Sequence, residues 1–160
     1  MNMNKNNWKT YAFWILLSEA VGLLAGILTR SATQMFGQTA VQPPLSPPAI
    51  VFPIVWTVIY ALMGFGAARI RLSPPSQARG RGINLFIAQL IVNFFWPLIF
   101  FNAQAYGFAF LWLLLLWALV LWMILVWHKI DPLAAKLQIP YLIWLTFAAY
   151  LNFGVWYLNR

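Results

Sequence analysis

The chain has no cysteine and one histidine, His128. Disulfides, thiolate nucleophiles and cysteine metal sites are excluded, and nothing records the redox compartment. Acid is almost as scarce, for Glu19 and Asp131 are the only carboxylate side chains in 160 residues. They form a general acid/base pair only if folding joins them. There is no Gly-rich phosphate loop and no metal-ligand cluster, so no metal and no cofactor are expected. Charged residues of all kinds make up 8% of the chain, against about 25% in an ordinary soluble domain. Strict apolar/polar alternation is also missing, which argues against a β-barrel.

What is abundant is apolar surface: 63% of residues are hydrophobic, with ten Trp, and the mean hydropathy is +0.77. A soluble fold could not hide so much. Five stretches, 11–28, 50–68, 83–101, 105–127 and 139–158, are close to the about 20 apolar residues that carry a helix across a bilayer. Glu19 is the one ionisable residue inside them. A backbone in lipid must satisfy its own hydrogen bonds, which favours helices. The fold class is therefore an all-α integral membrane protein: one domain over 1–160, a bundle of five transmembrane helices at about 11–30, 47–71, 83–102, 105–128 and 132–158. A polar tail, 1–10, precedes them.

The ten Lys and Arg residues give a net charge of +8. In a soluble protein this would prompt a search for nucleic acid; here placement explains it, and no nucleic-acid partner is expected. If five helices alternate in direction, Lys5, Lys9, Arg69, Arg71, Arg79, Arg81, Lys129 and Lys136 share one side, and Arg30 and Arg160 the other. The positive-inside rule then puts the N-terminus in the cytoplasm and the C-terminus outside, in a multi-pass protein of the cell membrane, with a bacterial plasma membrane favoured. The first apolar run is long for a signal peptide and no A-x-A-like site follows it, so it is read as a retained helix.

The uncharged segment 31–46 is long for a helix connection and is expected to be an outer loop and lid. Ser46 before Pro47 and Pro48 reads as the N-cap of the second helix, with Pro53 bending it early. Residues 72–82, rich in Pro, Gly and Arg, read as a solvated loop, and Asn102–Ala105 as a short connection. Asp131-Pro132 repeats the cap-plus-proline signal, so the fifth helix should begin before it enters the membrane, with a kink at Pro140. Gly22 and Gly26 form a small-xxx-small pattern that is read first as internal packing, with a homodimer contact as the alternative.

Polar side chains in lipid turn toward the bundle interior, so they mark inward faces. At about 100° per residue, Gln89, Asn93, Trp96 and Phe100 share one stripe of the third helix. Tyr141, Trp144, Ala148, Asn152 and Val155 share one on the fifth, and Phe52, Trp56, Ile59, Tyr60 and Met63 one on the second. The fourth helix has no polar face; Trp112, Trp117, Trp122 and Trp127 advance about 140° each time, so it is expected to face mostly lipid. Facing aromatic stripes with a few amides suit a pocket for a flat apolar ligand. Taken by themselves they suit ordinary interhelical packing, with amides as hydrogen-bond glue, somewhat better. Glu19 is either a functional intramembrane carboxylate or one hydrogen-bonded near Ser18 and Gly22.

Three ordered blocks carry a resemblance. They are Pro47-Pro48 followed by Phe52, Trp56-Thr57, Tyr60 and Met63-Gly64; Gln89, Asn93, Trp96-Pro97 and Phe100-Phe101; and Asp131-Pro132-Leu133-Ala134-Ala135 with Pro140-Tyr141-Leu142, Trp144, Phe147-Ala148, Leu151-Asn152 and Val155-Trp156. Together they resemble the tryptophan-rich sensory protein family, also called the translocator protein or peripheral-type benzodiazepine receptor family. The resemblance implies a five-helix bundle, often dimeric, that binds porphyrin, other tetrapyrroles or sterol-like ligands in a pocket between helices 1, 2, 3 and 5 under the first loop. Ligand-binding positions would be Trp56, Tyr60, Gln89, Asn93, Trp96, Trp144, Ala148 and Asn152. The implied role is sensor, carrier or scavenger. Light-dependent porphyrin degradation, with Trp56 and Trp144 as the photochemical participants, stands as an alternative; so does ion-coupled export through Glu19. Where the family's first loop ends in Lys-Pro-x-Trp-x-Pro-Pro, this chain has Gln42 for the cation and Leu45 for the tryptophan. A porphyrin carboxylate loses a partner there, with Arg30 the candidate substitute. Val155-Trp156-Tyr157-Leu158-Asn159-Arg160 fits a proposed cholesterol pattern, but it reads better as an interfacial anchor.

Overall fold

A computed structural model describes residues 5–160; of the N-terminal tail, residues 1–4 lie outside it. Among the described residues there are five helical spans long and apolar enough to cross a membrane, and no strand. The helices are α1 (Asn7–Thr39), α2 (Val51–Leu72), α3 (Gln77–Pro97), α4 (Tyr106–His128), α5 (Pro132–Lys136) and α6 (Ile139–Leu158). The third span ends in a π-helical turn, Leu98–Asn102. The protein is an all-α multi-pass membrane protein, and its many exposed large hydrophobics, such as Leu16, Leu23, Leu111 and Ile143, are the surface that lipid covers.

The first helix continues past the expected boundary at 30 as far as Thr39, so most of the anticipated loop 31–46 is helical. Its 33 residues reach about 50 Å, well beyond the hydrocarbon core. Hydropathy sees only the part in lipid. The polar extension is held by Phe36, whose ring lies 5.3 Å from those of both Phe100 and Phe101. The remaining loop is 40–50. Ser46 does not cap the second helix: its hydroxyl donates to the Pro43 carbonyl at 2.7 Å, and α2 starts at Val51 without a side-chain cap. The chain turns instead at Leu45, in the left-handed region with φ 69°, before a backbone bond from Val51 to Pro48 opens the helix.

The third helix begins earlier than the expected 83, at Gln77, because Ser76 caps it by accepting from the Arg79 N–H at 3.0 Å. Gly80 and Gly82 are thus not loop punctuation. The Trp127 indole lies against Gly82 and donates to its carbonyl at 3.1 Å, a contact that a larger side chain at 82 would obstruct. At the other end Pro97 brings no N–H to the ladder, and the helix widens there into the π turn, closed by a bond from Ala103 to Leu98.

Asp131 caps α5 as its sequence predicts, accepting from the Leu133 and Ala134 N–H groups through Oδ1. Its Oδ2 accepts from Arg69 Nε at 2.8 Å, which ties α5 to the end of α2. The fifth span is two helices, not one. Pro140 stands in the first turn of α6, where its missing N–H is harmless, so it starts a helix and does not kink one.

The fourth helix leaves Phe108, Leu111, Leu114, Leu115, Trp122 and Leu125 exposed, as expected of a mostly lipid-facing helix, but it also has a core face that the sequence did not mark. Ala109, Leu113, Leu116, Val120, Met123 and Trp127 form a buried stripe packed on α3 and α6. Three of its four tryptophans donate hydrogen bonds, Trp112 to Val92, Trp117 to Thr146 and Trp127 to Gly82; Trp122 is exposed. A purely apolar helix shows no amphipathic pattern, since core and lipid both accept Leu.

On the opposite flank α1 packs along α2, whose Gly64 lets the backbone of Ile15 come into direct contact. Gly22 lies under the Tyr60 ring, whereas Gly26 is exposed and a side chain there would enter open space. The small-residue pair is split between an inward and an outward face.

Candidate functional site

The backbones of α2 and α6 are not among the closely packed pairs. Aromatic side chains fill the space between them: Phe52 meets Trp144 edge-on at 5.7 Å, and Trp56 meets Tyr141 at 6.2 Å and Tyr60 at 5.5 Å. The three predicted stripes, on α2, α3 and α6, converge here in two tiers.

The lower tier is a closed polar network. Tyr60 donates to Asn93 Oδ1 at 2.6 Å, Asn93 Nδ2 donates to the Tyr141 hydroxyl at 2.7 Å, and Tyr141 donates to Gln89 Oε1 at 2.7 Å. Gln89 Nε2 completes the chain on Met63 Sδ at 3.3 Å. All five residues are buried. In an apolar interior an unpaired amide is expensive, so the amides and phenols satisfy one another and lock three helices in one register.

The upper tier encloses a small cavity of about 60 Å³. Its walls are Trp96, Phe100 and Phe101 from the third span, Phe52 from α2, Phe36 from α1, and Ala148, Leu151, Asn152 and Val155 from α6. Gln42, Pro43 and Ser46 roof it. Trp96 stacks on Phe100 at 5.1 Å and donates to Asn152 Oδ1 at 3.1 Å, while Asn152 Nδ2 donates to the Tyr106 carbonyl at 2.9 Å. The π turn brings Phe100 and Phe101, neighbours in sequence, to the same wall.

Of the eight residues singled out in sequence, Trp96, Ala148 and Asn152 line this cavity. Tyr60, Gln89 and Asn93 form the network beneath it, and Trp56 and Trp144 stand between the tiers. The indole N–H of Trp144 is buried and has no hydrogen-bond partner. It sits one turn before Ala148 on α6. Sequence reasoning expected a lid from the first loop but did not name Phe36 as a wall residue. The π turn's Phe101, though part of a quoted motif, lay off the helical stripe. Glu19 is half-buried on α1 and does not line the cavity, and Arg30 is exposed on the same helix. Leu45, in the roof loop, does not line the cavity and is 81% exposed. Among the described residues no three His, Asp or Glu side chains gather as a metal site.

The roof is fastened to α6. Val41 N–H donates to Asn159 Oδ1 at 2.9 Å, and Asn159 Nδ2 returns a bond to the Val41 carbonyl at 2.8 Å. Tyr150 donates to the Pro44 carbonyl at 2.8 Å. Pro43 packs against Gly154, where any Cβ would collide with the proline ring.

Five spans with an aromatic cavity at one mouth, under a loop tied to the last helix, define a multi-pass membrane protein with an intramembrane chamber. Comparison with known proteins specifies the kind. The model of the TspO/MBR family matches residues 14–158, and the chain belongs to that family. It is 32% identical over 155 residues to the translocator protein of Bos taurus, covering 96% of this chain and 92% of the relative. It is 32% identical over 151 residues to the tryptophan-rich protein TspO of Chlorobaculum tepidum, covering 94% and 96%. Protein CrtK of Rhodobacter capsulatus is 35% identical over 119 residues, 74% of each chain.

Proposed function

We propose that the protein binds a planar, largely apolar ligand of the porphyrin or sterol-like class in the cavity under the 40–50 loop, and acts as a membrane sensor, carrier or scavenger. Family membership supports a ligand-binding or sensing role at the membrane. The observation that carries the finer reading is the aromatic wall of the cavity, with Asn152 in it and the buried, unpaired indole N–H on Trp144, whose ring packs on the wall residue Phe52. Ring faces stack on a flat ligand, and a buried donor without a partner gains a hydrogen bond when an acceptor arrives.

Pockets for molecules of this size usually measure about 300–1,000 Å³, so a cavity of about 60 Å³ has to expand. The parts able to yield are the roof and the aromatic rotamers, while the network below stays in place. Gln42 offers the roof an amide and no charge. Ligand carboxylates should therefore contribute little.

Titrating protoporphyrin into the detergent-solubilised protein should quench tryptophan fluorescence saturably, with the dimethyl ester binding about as tightly as the free acid. Ala148→Leu extends a side chain into the cavity and should weaken binding by about tenfold or more, a difference of about 1.4 kcal/mol. Unchanged affinity in that variant, with its fold intact, would place the ligand elsewhere.

A further inference from the structure

We propose a second site, at the opposite, basic end of the bundle, that binds one anionic glycerophospholipid in the groove between the start of α1 and the end of α2. The groove measures about 430 Å³ and is lined by Lys9, Thr10, Phe13, Trp14, Arg71 and Leu72. Half of that wall is cationic or hydroxylic and half is apolar, which matches a phosphate headgroup joined to acyl chains.

The charges are uncommitted for a reason written in the composition. The chain has two carboxylate side chains, and Asp131 is held by Arg69. Glu19 lies ten residues beyond Lys9 on the same helix, about 15 Å along its axis and out of reach. Arg79 is also occupied, donating to the Arg71 and Ser73 carbonyls and closing the end of α2. Lys9 has only the neutral Trp8 ring beside it, 6.0 Å from the centroid. Lys9 and Arg71 therefore face the groove without an anion from the protein. The first turn of α1 adds to the field, since it has no acidic residue and no side-chain cap, and its N–H groups carry the positive end of a 33-residue dipole.

Position selects the lipid. The groove lies where α1 passes from Asn6 and Asn7 into its apolar run, the level at which headgroups sit, and Trp8 and Phe13 are exposed beside it. A free phosphate would make no use of Phe13, Trp14 and Leu72. A zwitterionic headgroup would bring its own cation to two others, with no carboxylate nearby to receive it.

The test is native mass spectrometry of the full chain, titrated in detergent with phosphatidylglycerol or phosphatidylcholine. One phosphatidylglycerol should be retained preferentially. Lys9→Gln/Arg71→Gln should weaken that binding by about 30-fold, the effect of two interfacial cations. Arg81→Gln/Lys129→Gln removes the same charge from exposed positions at the same end and should leave retention within about twofold, well under the contribution of one interfacial cation. Equal loss in both double variants would mean diffuse attraction without a site and would overturn the proposal. So would equal retention of the two lipids, or displacement of bound lipid by soluble glycerol phosphate. Thermal melting of each variant checks that the fold is retained.

Discussion

The Tyr60 hydroxyl on α2 donates a hydrogen bond to the Oδ1 atom of Asn93 on α3, at 2.6 Å, and the same amide donates to Tyr141 on α6. One side chain thus joins three helices whose other contacts are mostly nondirectional packing. Asn93→Leu keeps the volume and removes both bonds, leaving two phenols buried with fewer partners. Each buried group left unpaired costs about 1–3 kcal/mol. The variant should melt at clearly lower temperature in detergent, and protoporphyrin affinity in the fraction that remains folded should fall less than it does in Ala148→Leu. A melting curve identical to that of the parent would show that the network is not structural.

Trp144 separates stability from binding in the opposite sense. Its indole N–H is buried without a partner, so Trp144→Phe removes an unsatisfied donor while leaving an aromatic ring against Phe52. Stability should hold or rise slightly. Affinity for a ligand that presents an acceptor should drop by about tenfold, the worth of about one hydrogen bond. Calorimetry and fluorescence titration on the same preparation read both. A loss of stability with unchanged affinity would assign the ring to packing alone.

Asn159 holds the roof through two reciprocal bonds with the Val41 backbone. Asn159→Ala frees one edge of the 40–50 loop, and Tyr150→Phe frees the Pro44 carbonyl. Both changes should raise amide hydrogen exchange in that loop and increase ligand association and dissociation rates several-fold, with a smaller change in affinity. If stopped-flow rates stay constant while exchange rises, the ligand does not pass beneath the roof.

Much of this arrangement is legible in the chain itself, and the failures have identifiable causes. The stripes on α2, α3 and α6 were readable because an amide in lipid has to face inward, which makes Gln89, Asn93 and Asn152 reliable markers of helix orientation. Asp131-Pro132 was readable because capping is local. The extension of α1 was not, since hydropathy reports solvent and not helicity, and its anchor, Phe36, contacts residues more than sixty positions away. Ser46 carried a capping signal that a nearby turn took over. Gly82 looked like a loop residue because the tryptophan that requires it comes from α4.

Composition and hydropathy by themselves determined that this protein lives in a bilayer, how many times it crosses, and which end carries the positive charge, because transfer into lipid is a property of each segment alone. The angular position of the amides determined which faces look inward. Only the tertiary structure decided how those faces divide the work. Hydrogen-bond pairing between Tyr60, Asn93, Tyr141 and Gln89 depends on helix register, which no single helix contains, and it turns three predicted contact residues, Tyr60, Gln89 and Asn93, into part of a structural floor. The π turn after Pro97, the Trp96–Asn152 bond and the tethered roof then build the chamber above that floor. Those are relations between segments, and they exist only once the segments have packed.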